Sequence, residues 1–372
     1  MIPGIRKAAL TVAAYVPGKT TDAVIEEYGL TDVVKLGSNE NNYGPFPKAM
    51  EAMTQELKRL HVYPEKNFVR LKNLLGAKVG LDGTYIGLGH GAGGVLETIA
   101  RTFLEAGDEV IIPGQTYGLY KEISKVMGAE IVWSPLKDYA LDIEDITAKV
   151  TPRTKLLWLC NPNNPTGTVF SAQKLIPLLD ALPPHAWVVL DEAYREYADA
   201  SLLPDTEELV RAGRRVLGVR TFSKYYGLAG GRIGYLVAAP EVITWYDTVS
   251  EPFNANRIGL AGAVATLTGD TEELERCRWA MMRDRDEMAK NLRALGCQPV
   301  ATHTNFLFFE TPYPCAVVNE LLLRRGVIAR PCAGWGLPRH MRVSIGTTRE
   351  NRAFLNAMEG VMTECAGEEQ AQ

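Results

Sequence analysis

Short apolar runs alternate with amphipathic segments over residues 84–237 of this chain of 372 residues. The apolar runs have the length of strands, and we predict strands at 85–88, 109–112, 130–133, 156–160, 187–190, 216–220 and 233–237. The segments between them repeat their apolar positions at helical spacing, and we predict helices at 94–104, 117–127 and 172–181. Such alternation is typical of a mostly parallel sheet with helices on both faces, so the expected fold class is α/β.

The pattern changes on both sides of this region. Helices are predicted at 47–60 and 67–79, whereas the first forty residues look irregular. From residue 271, a long charged helix to about residue 295 precedes short strands at 306–309, 327–329 and 341–345 and helices at 317–324 and 349–365. We expect a large domain over 46–270, a smaller α+β domain over 271–372, and an N-terminal segment, 1–45, that packs with the smaller domain.

Composition excludes several classes of protein. Hydrophobic residues make up 46% of the chain and charged residues 23%, which is the balance of a globular protein. The net charge of −4 argues against a nucleic-acid partner, and no apolar run could span a membrane. The six cysteines are scattered without a C-x-x-C pair and the histidines without an H-E-x-x-H motif. We therefore expect reduced thiols, a cytoplasmic protein without a signal peptide, and no metal site.

A glycine-rich stretch, Gly89-His90-Gly91-Ala92-Gly93-Gly94, follows a predicted strand and precedes a predicted helix. It matches the G-x-G-x-x-G pattern of dinucleotide-binding proteins, but the acidic residue expected about twenty positions later is replaced by Pro113-Gly114-Gln115. An NAD-dependent dehydrogenase is therefore disfavoured. An anion site at the helix N-terminus and a merely flexible turn both remain open.

Three later loops, each directly after a predicted strand, carry the candidate chemistry. Ligands of parallel sheets bind beyond the carboxyl ends of the strands. The loop 221–232 combines two hydroxyls, a lysine able to form a Schiff base and an arginine able to bind phosphate. The other loops are Cys160-Asn161-Pro162-Asn163-Asn164-Pro165-Thr166-Gly167 and Asp191-Glu192-Ala193-Tyr194. Alone, the lysine could be a solvated surface residue and Asp191 a helix cap.

Together, Asn164-Pro165-Thr166-Gly167, Asp191-x-x-Tyr194 and Ser223-Lys224 followed by Arg232 resemble the fold-type I pyridoxal-phosphate aminotransferases. The resemblance covers essentially the whole chain. Segments 15–18, 36–45, 61–64 and 330–336 are similar to the histidinol-phosphate aminotransferases within that family. The resemblance implies the fold of a fold-type I PLP-dependent transferase, with pyridoxal 5'-phosphate as the cofactor and an amino donor and a 2-oxo acid as substrates.

The resemblance also implies a role for each matching residue. Lys224 would bond covalently to the cofactor and move the substrate's proton, and Asp191 would pair with the pyridine nitrogen. Asn164 and Tyr194 would bind the phenolic oxygen, and Tyr117 would stack on the ring. The cofactor phosphate would lie among Ala92, Gly93, Thr221, Ser223 and Arg232. In the family a tyrosine of the partner subunit also reaches this phosphate, and Tyr63 matches it, which implies a homodimer. The expected substrate-binding residues are Tyr15, Arg330 and Arg342.

The chain departs from the family at two places. Gly93 and Gly94 stand where the family usually has acidic residues, and Asn42 stands where it usually has proline.

The expected reaction converts histidinol phosphate and 2-oxoglutarate to imidazole-acetol phosphate and glutamate. The alternatives are an aromatic or broad-specificity aminotransferase, a decarboxylase of a phosphorylated amino acid, and a binding module descended from an aminotransferase.

Overall fold

The computed structural model describes residues 4–14 and 18–370. The strands in chain order are β1 Val34–Lys35, β2 Ile86–His90, β3 Glu109–Pro113, β4 Glu130–Ser134, β5 Leu136–Lys137, β6 Ala140–Leu141, β7 Thr154–Cys160, β8 Trp187–Asp191, β9 Val216–Thr221, β10 Ile233–Val237, β11 Gln298–Pro299, β12 Phe306–Glu310, β13 Val327–Ile328, β14 Arg330–Pro331 and β15 His340–Ser344.

The α-helices in chain order are α1 Thr21–Tyr28, α2 Pro47–Glu56, α3 Val69–Lys78, α4 Gly91–Phe103, α5 Leu119–Met127, α6 Ile143–Ala148, α7 Ala172–Ala181, α8 Thr206–Arg211, α9 Pro240–Val249, α10 Arg257–Gly269, α11 Thr271–Ala294, α12 Cys315–Arg324 and α13 Thr348–Gln370. Short 3-10 helices lie at Lys7–Thr11, Leu57–Arg59, Gly83–Tyr85, Arg195–Tyr197, Ala200–Leu202, Ala229–Gly231 and Ala333–Trp335.

The largest sheet has seven strands in the order β2-β10-β9-β8-β7-β3-β4. Neighbouring strands from β9 to β4 in this order pair in parallel, whereas β10 runs antiparallel to both of its neighbours, β2 and β9. The predicted α/β class is therefore confirmed, with one reversed strand that the apolar pattern does not reveal.

Helices cover both faces of this sheet. Alternate side chains of β7 enter different cores: Leu156 and Trp158 pack with α4 and α5 residues, whereas Leu157 and Leu159 pack with α6 and α7 residues. Burial on both faces explains why the strand reads as a continuous apolar run.

A second, antiparallel sheet with the order β11-β12-β15-β14 lies in the C-terminal part of the chain. The N-terminal part joins this region, because β1 pairs in parallel with β13. The expectation of an irregular N-terminus is wrong for α1, which Thr20 caps and Gly29 ends in a left-handed conformation. The division at residues 45 and 270 stays a prediction.

The next features concern membrane-spanning helices, metal clusters and cysteines. In residues 4–14 and 18–370, no helix has both the length and the apolar character that crossing a membrane requires. The same residues contain no cluster of His, Cys, Asp and Glu side chains suited to a metal ion. All six cysteines are buried thiols.

Candidate active site

The carboxyl ends of three parallel strands form one edge of the large sheet, and the candidate residues lie along it. β7 ends at Cys160, β8 at Asp191 and β9 at Thr221. Cys160 and Asp191 are register partners, and the Asn161 backbone N–H donates to the Asp191 carbonyl oxygen at 2.9 Å. The strand ends are thus aligned, and the loops after them meet at one cleft.

Asp191 is a buried carboxylate, with 4% of the residue exposed. Its Oδ2 accepts a hydrogen bond from the Tyr120 hydroxyl at 2.6 Å, and its Oδ1 accepts one from the Ala193 backbone N–H at 3.1 Å. Burial raises the pKa of Asp191 to about 6, although both hydrogen bonds favour the charged form. Such a carboxylate is suited to pairing with a cation brought into the cleft.

Tyr120 is a site residue that the sequence patterns did not single out. Its ring stacks on Trp158 with centroids 5.5 Å apart, and it packs edge-on against Tyr117 at 5.5 Å. The sequence signal that could have identified Tyr120 was its position three residues after Tyr117, at the start of a predicted helix. Tyr117 itself is half-buried at the cleft.

Lys224 lies in the loop after β9, where its Nζ donates to the Ser38 carbonyl oxygen at 2.9 Å. The amine is also 5.9 Å from the centre of the Tyr194 ring. Loss of solvation lowers the pKa of Lys224 to about 8, and the positive charge of Arg342 acts in the same direction. About a tenth of this amine is therefore neutral, and thus nucleophilic, at pH 7.

Tyr194 and Asn164 join the same group of side chains. The Tyr194 hydroxyl accepts a hydrogen bond from Asn39 Nδ2 at 2.9 Å, and burial raises the pKa of this tyrosine. Arg342 Nη1 donates to Asn164 Oδ1 at 2.5 Å. Asn39 was not predicted as a site residue, although it lies in the motif segment 36–45. The structure thus brings Asn164, Tyr194, Lys224 and Arg342 together.

A separate group of donors lies where α4 begins. Ala92 and Gly93 occupy the first turn of this helix, whose backbone N–H groups have no partner within the helix. Thr221 Oγ1 donates to Ser223 Oγ at 3.0 Å, and Arg232 Nη1 lies 3.5 Å from the same Ser223 oxygen. Helix amides, hydroxyls and a guanidinium together are suited to binding an anion, and we call this group the candidate anion site.

Glycines create the space for this candidate anion site. Gly91 has φ +70°, and a Cβ there would lie 2.4 Å from Arg232 Nη2. A Cβ on Gly234 would lie 2.4 Å from the Ala92 backbone nitrogen. The predicted helix start at residue 94 is wrong, because the helix begins at Gly91. The stretch is therefore not merely a flexible turn, and its residues fit a phosphate group.

Two arginines lie at directly opposite positions of the antiparallel strands β14 and β15. Arg330 is the register partner of Arg342, and the Arg342 guanidinium also donates to the Gly37 carbonyl oxygen at 2.8 Å. Both guanidinium groups lie within 6 Å of the Trp335 ring centre. The third predicted substrate residue, Tyr15, lies outside the described residues.

Tyr63 does not join these groups within one chain. It is 75% exposed, and its ring stacks on Phe253 with centroids 4.6 Å apart. Arg257 Nη2 donates to the Tyr63 carbonyl oxygen at 2.7 Å. Its ring is therefore displayed on the surface of the molecule.

Comparison with known proteins identifies the family. The model of the aminotransferases of class I and II matches residues 31–358. The chain belongs to this family. The aminotransferase is thus an enzyme that exchanges an amino group between an amino donor and a 2-oxo acid, and its cofactor is pyridoxal 5'-phosphate.

Individual relatives extend over nearly the whole aminotransferase. The histidinol-phosphate aminotransferase of Moorella thermoacetica is 39% identical over 97% of this chain and 94% of its own length. The histidinol-phosphate aminotransferase of Symbiobacterium thermophilum is 39% identical over 97% of this chain and 99% of its own length. Among solved structures, the histidinol-phosphate aminotransferase from Sinorhizobium meliloti in complex with pyridoxal-5'-phosphate has a TM-score of 0.89 and 28% identity, covering 98% of this chain and 99% of that one.

The structure shows the surroundings of Gly93 and Asn42, two positions at which this aminotransferase departs from its family. A Cβ on Gly93 would contact only Leu119 Cδ2, at 3.5 Å, so the position has room for a side chain that this chain lacks. Asn42 Nδ2 donates to Glu350 Oε1 at 2.8 Å, a hydrogen bond that proline could not make.

Proposed function

We propose that this aminotransferase transfers the amino group of histidinol phosphate to 2-oxoglutarate, giving imidazole-acetol phosphate and glutamate. The observation that carries the proposal is the juxtaposition of Arg330 and Arg342 on neighbouring strands. One guanidinium suffices for an amino-acid carboxylate, whereas a phosphate has more oxygens and more charge and is satisfied by two. The names of the relatives from Moorella and Symbiobacterium support the same substrate.

The bound cofactor supplies an electron sink for the negative charge that forms at the substrate's α-carbon. Lys224 would hold the cofactor covalently through its Nζ. When its Nζ is free, Lys224 would accept the proton of the substrate's α-carbon and, as the ammonium, would donate that proton again. The lowered pKa of Lys224, about 8, favours the neutral amine that this step requires.

Asp191 would pair with the pyridine nitrogen of the cofactor, where its negative charge would favour the protonated ring. Its hydrogen bonds from Tyr120 and Ala193 fix the orientation of the carboxylate. Asn164 and Tyr194 would bind the phenolic oxygen of the cofactor, and Tyr117 would pack against its ring.

The first turn of α4 and the loop after β9 would hold the cofactor phosphate. Its donors are the Ala92 and Gly93 amides, the Thr221 and Ser223 hydroxyls and the Arg232 guanidinium. In the homodimer proposed below, the hydroxyl of the partner subunit's Tyr63 would complete this set.

We further propose that the enzyme is a cytoplasmic homodimer with sites at the subunit interface. Several exposed apolar side chains precede Tyr63 in the chain: Leu57 is 52% exposed, Leu60 60% and Val62 44%. Exposed apolar side chains concentrated in one segment are typical of a protein interface. The six buried thiols are compatible with a reducing compartment.

The 2-oxo acid uses the same pocket after the first product has left. Arg342 then binds its carboxylate beside the reacting carbon, and Arg330 is used only by the longer phosphate substrate. Because one pocket serves both substrates in turn, the kinetics are expected to be ping-pong.

Borohydride reduction followed by peptide mass spectrometry tests the residue assignment. The purified protein should carry the reduced cofactor on Lys224, and Lys224→Ala should fold and bind pyridoxal 5'-phosphate without covalent attachment. Lys290→Ala, which removes an exposed lysine of α11, is the control and should be labelled at Lys224 like the wild type. Labelling of another lysine, or wild-type turnover by Lys224→Ala, would contradict the assignment.

A further inference from the structure

Trp335 ends the 3-10 helix between β14 and β15, directly before Gly336 with its φ of +75°. The centre of its ring lies 5.8 Å from Arg330 Cζ and 5.9 Å from Arg342 Cζ. One half-buried indole is therefore shared by the two guanidinium groups that we assign to the substrate's anionic end.

The indole also connects the C-terminal sheet to the large sheet. Trp335 Nε1 donates to the Thr116 carbonyl oxygen at 2.7 Å, and Gln115 Nε2 lies 3.4 Å from the Trp335 carbonyl oxygen. Thr116 is 4% exposed and directly precedes Tyr117 at the cleft. The ring is thus held by a hydrogen bond of its own.

Two like charges at directly opposite positions of antiparallel strands repel each other. An aromatic face offsets this repulsion by attracting each cation, and it stacks well with the planar guanidinium group. A guanidinium held against a ring keeps its N–H edge available for an oxyanion.

We propose that Trp335 is a positioning residue that orients Arg330 and Arg342 and thereby sets the affinity of the enzyme for the anionic end of its substrates. The inference rests on the proposed function, because that function assigns the two arginines to the substrate. Trp335 contacts the two arginines through its ring and Thr116 through its Nε1, so its effect should appear mainly in KM rather than in kcat.

The test compares Trp335→Leu, which removes the ring, with Trp335→Phe, which keeps a ring and loses the N–H. Trp279→Leu is the matched control, because Trp279 is 62% exposed and its ring centre lies 5.4 Å from Arg278 Cζ on α11. Each holoenzyme is assayed with histidinol phosphate, with histidinol, which lacks the phosphate, and with 2-oxoglutarate. Binding of inorganic phosphate to each holoenzyme is measured by calorimetry.

Trp335→Leu should raise KM for histidinol phosphate and 2-oxoglutarate by about five- to thirtyfold, as expected for the loss of partly desolvated cation–π contacts. It should weaken phosphate binding similarly, with kcat and KM for histidinol within about twofold of the wild type. Trp335→Phe should change these values less than about threefold, and Trp279→Leu should change none. Equal losses for histidinol and histidinol phosphate, unchanged KM values, or a loss confined to kcat would each overturn the inference.

Failure of the proposed function gives a different result. In that case the wild type would not prefer histidinol phosphate to histidinol, whereas the KM for 2-oxoglutarate in Trp335→Leu would still report on the orientation of Arg342.

Discussion

Replacing Asp191 by asparagine should stabilise the cofactor-free protein above about pH 6. Burial raises the pKa of this carboxyl from 3.8 to about 6, and each pKa unit corresponds to roughly 1.4 kcal/mol. Charging the buried carboxylate therefore costs the folded state about 3 kcal/mol relative to the unfolded chain. Asparagine keeps the shape of the side chain and removes this cost.

The pH dependence follows from the order in which the two states lose the proton. As the pH rises from about 4 to about 6, the unfolded chain releases it first, so the wild-type free energy of unfolding falls across this window and stays lower above it. The asparagine side chain of the variant does not titrate, so the stability difference between variant and wild type should grow over the same window towards about 3 kcal/mol.

Urea unfolding of both apoproteins between pH 4.5 and 7.5 measures this difference. Asp270→Asn is the control, because the Asp270 carboxylate accepts the backbone N–H groups of Lys48 and Ala49 at the start of α2, at 3.0 and 2.9 Å. That variant should be less stable than the wild type. If Asp191→Asn is no more stable than the wild type at pH 7.5, desolvation does not dominate at this carboxylate and the reasoning is refuted.

Three other variants or conditions address the rest of the site. Arg330→Met should lower kcat/KM for histidinol phosphate by about ten- to a hundred-and-fiftyfold, which corresponds to the loss of a charge-assisted hydrogen bond. The loss of kcat/KM for phenylalanine should be much smaller. Equal losses for both substrates in steady-state assays would exclude Arg330 as the phosphate-binding residue. Gly234→Ala should weaken cofactor binding at least about tenfold in a fluorescence titration, because a steric clash that costs roughly 1.4 kcal/mol is enough for that change. Gly230→Ala is the control and should bind the cofactor like the wild type, since Gly230 has open space around it. Equal affinities of Gly234→Ala and the wild type would place the phosphate elsewhere. In stopped-flow measurements, the rate at which the apoprotein binds the cofactor should rise with pH around the Lys224 pKa of about 8. In Arg342→Met this rise should shift to higher pH, because loss of a neighbouring cation raises the pKa of Lys224. An unshifted pH profile would contradict this electrostatic cause.

The sequence predicts the central sheet because its strands are buried on both faces and read as uninterrupted apolar runs. β8 and β9 each extend one residue beyond the predicted run, to Asp191 and Thr221, because a polar residue at a strand end looks like a loop residue. The reversed direction of β10 is set by its pairing with β2 and β9, which lie far apart in the sequence. Only tertiary contacts reveal it.

The predicted site residues were those that carry recognisable motifs at strand ends. Tyr120, Asn39 and Trp335 were missed as site residues because each acts through a contact across the fold: with Asp191, with Tyr194 and with the two arginines, respectively. Tyr120 lies in an amphipathic helix, where position alone does not separate it from a packing residue, whereas Asn39 and Trp335 lie in the motif segments 36–45 and 330–336 but were given no role there. Family resemblance supplied the other roles, and spacing alone would have left them open.

The half-reaction of the holoenzyme tests the central claim most directly. The cofactor's visible absorbance is followed after mixing the enzyme with one amino donor and no 2-oxo acid, and 2-oxoglutarate is added afterwards. The account predicts that histidinol phosphate converts the cofactor faster than phenylalanine, tyrosine, glutamate or histidinol does, and that 2-oxoglutarate then restores the original spectrum with formation of glutamate. Faster conversion by phenylalanine, or release of carbon dioxide without recovery by 2-oxoglutarate, would contradict it.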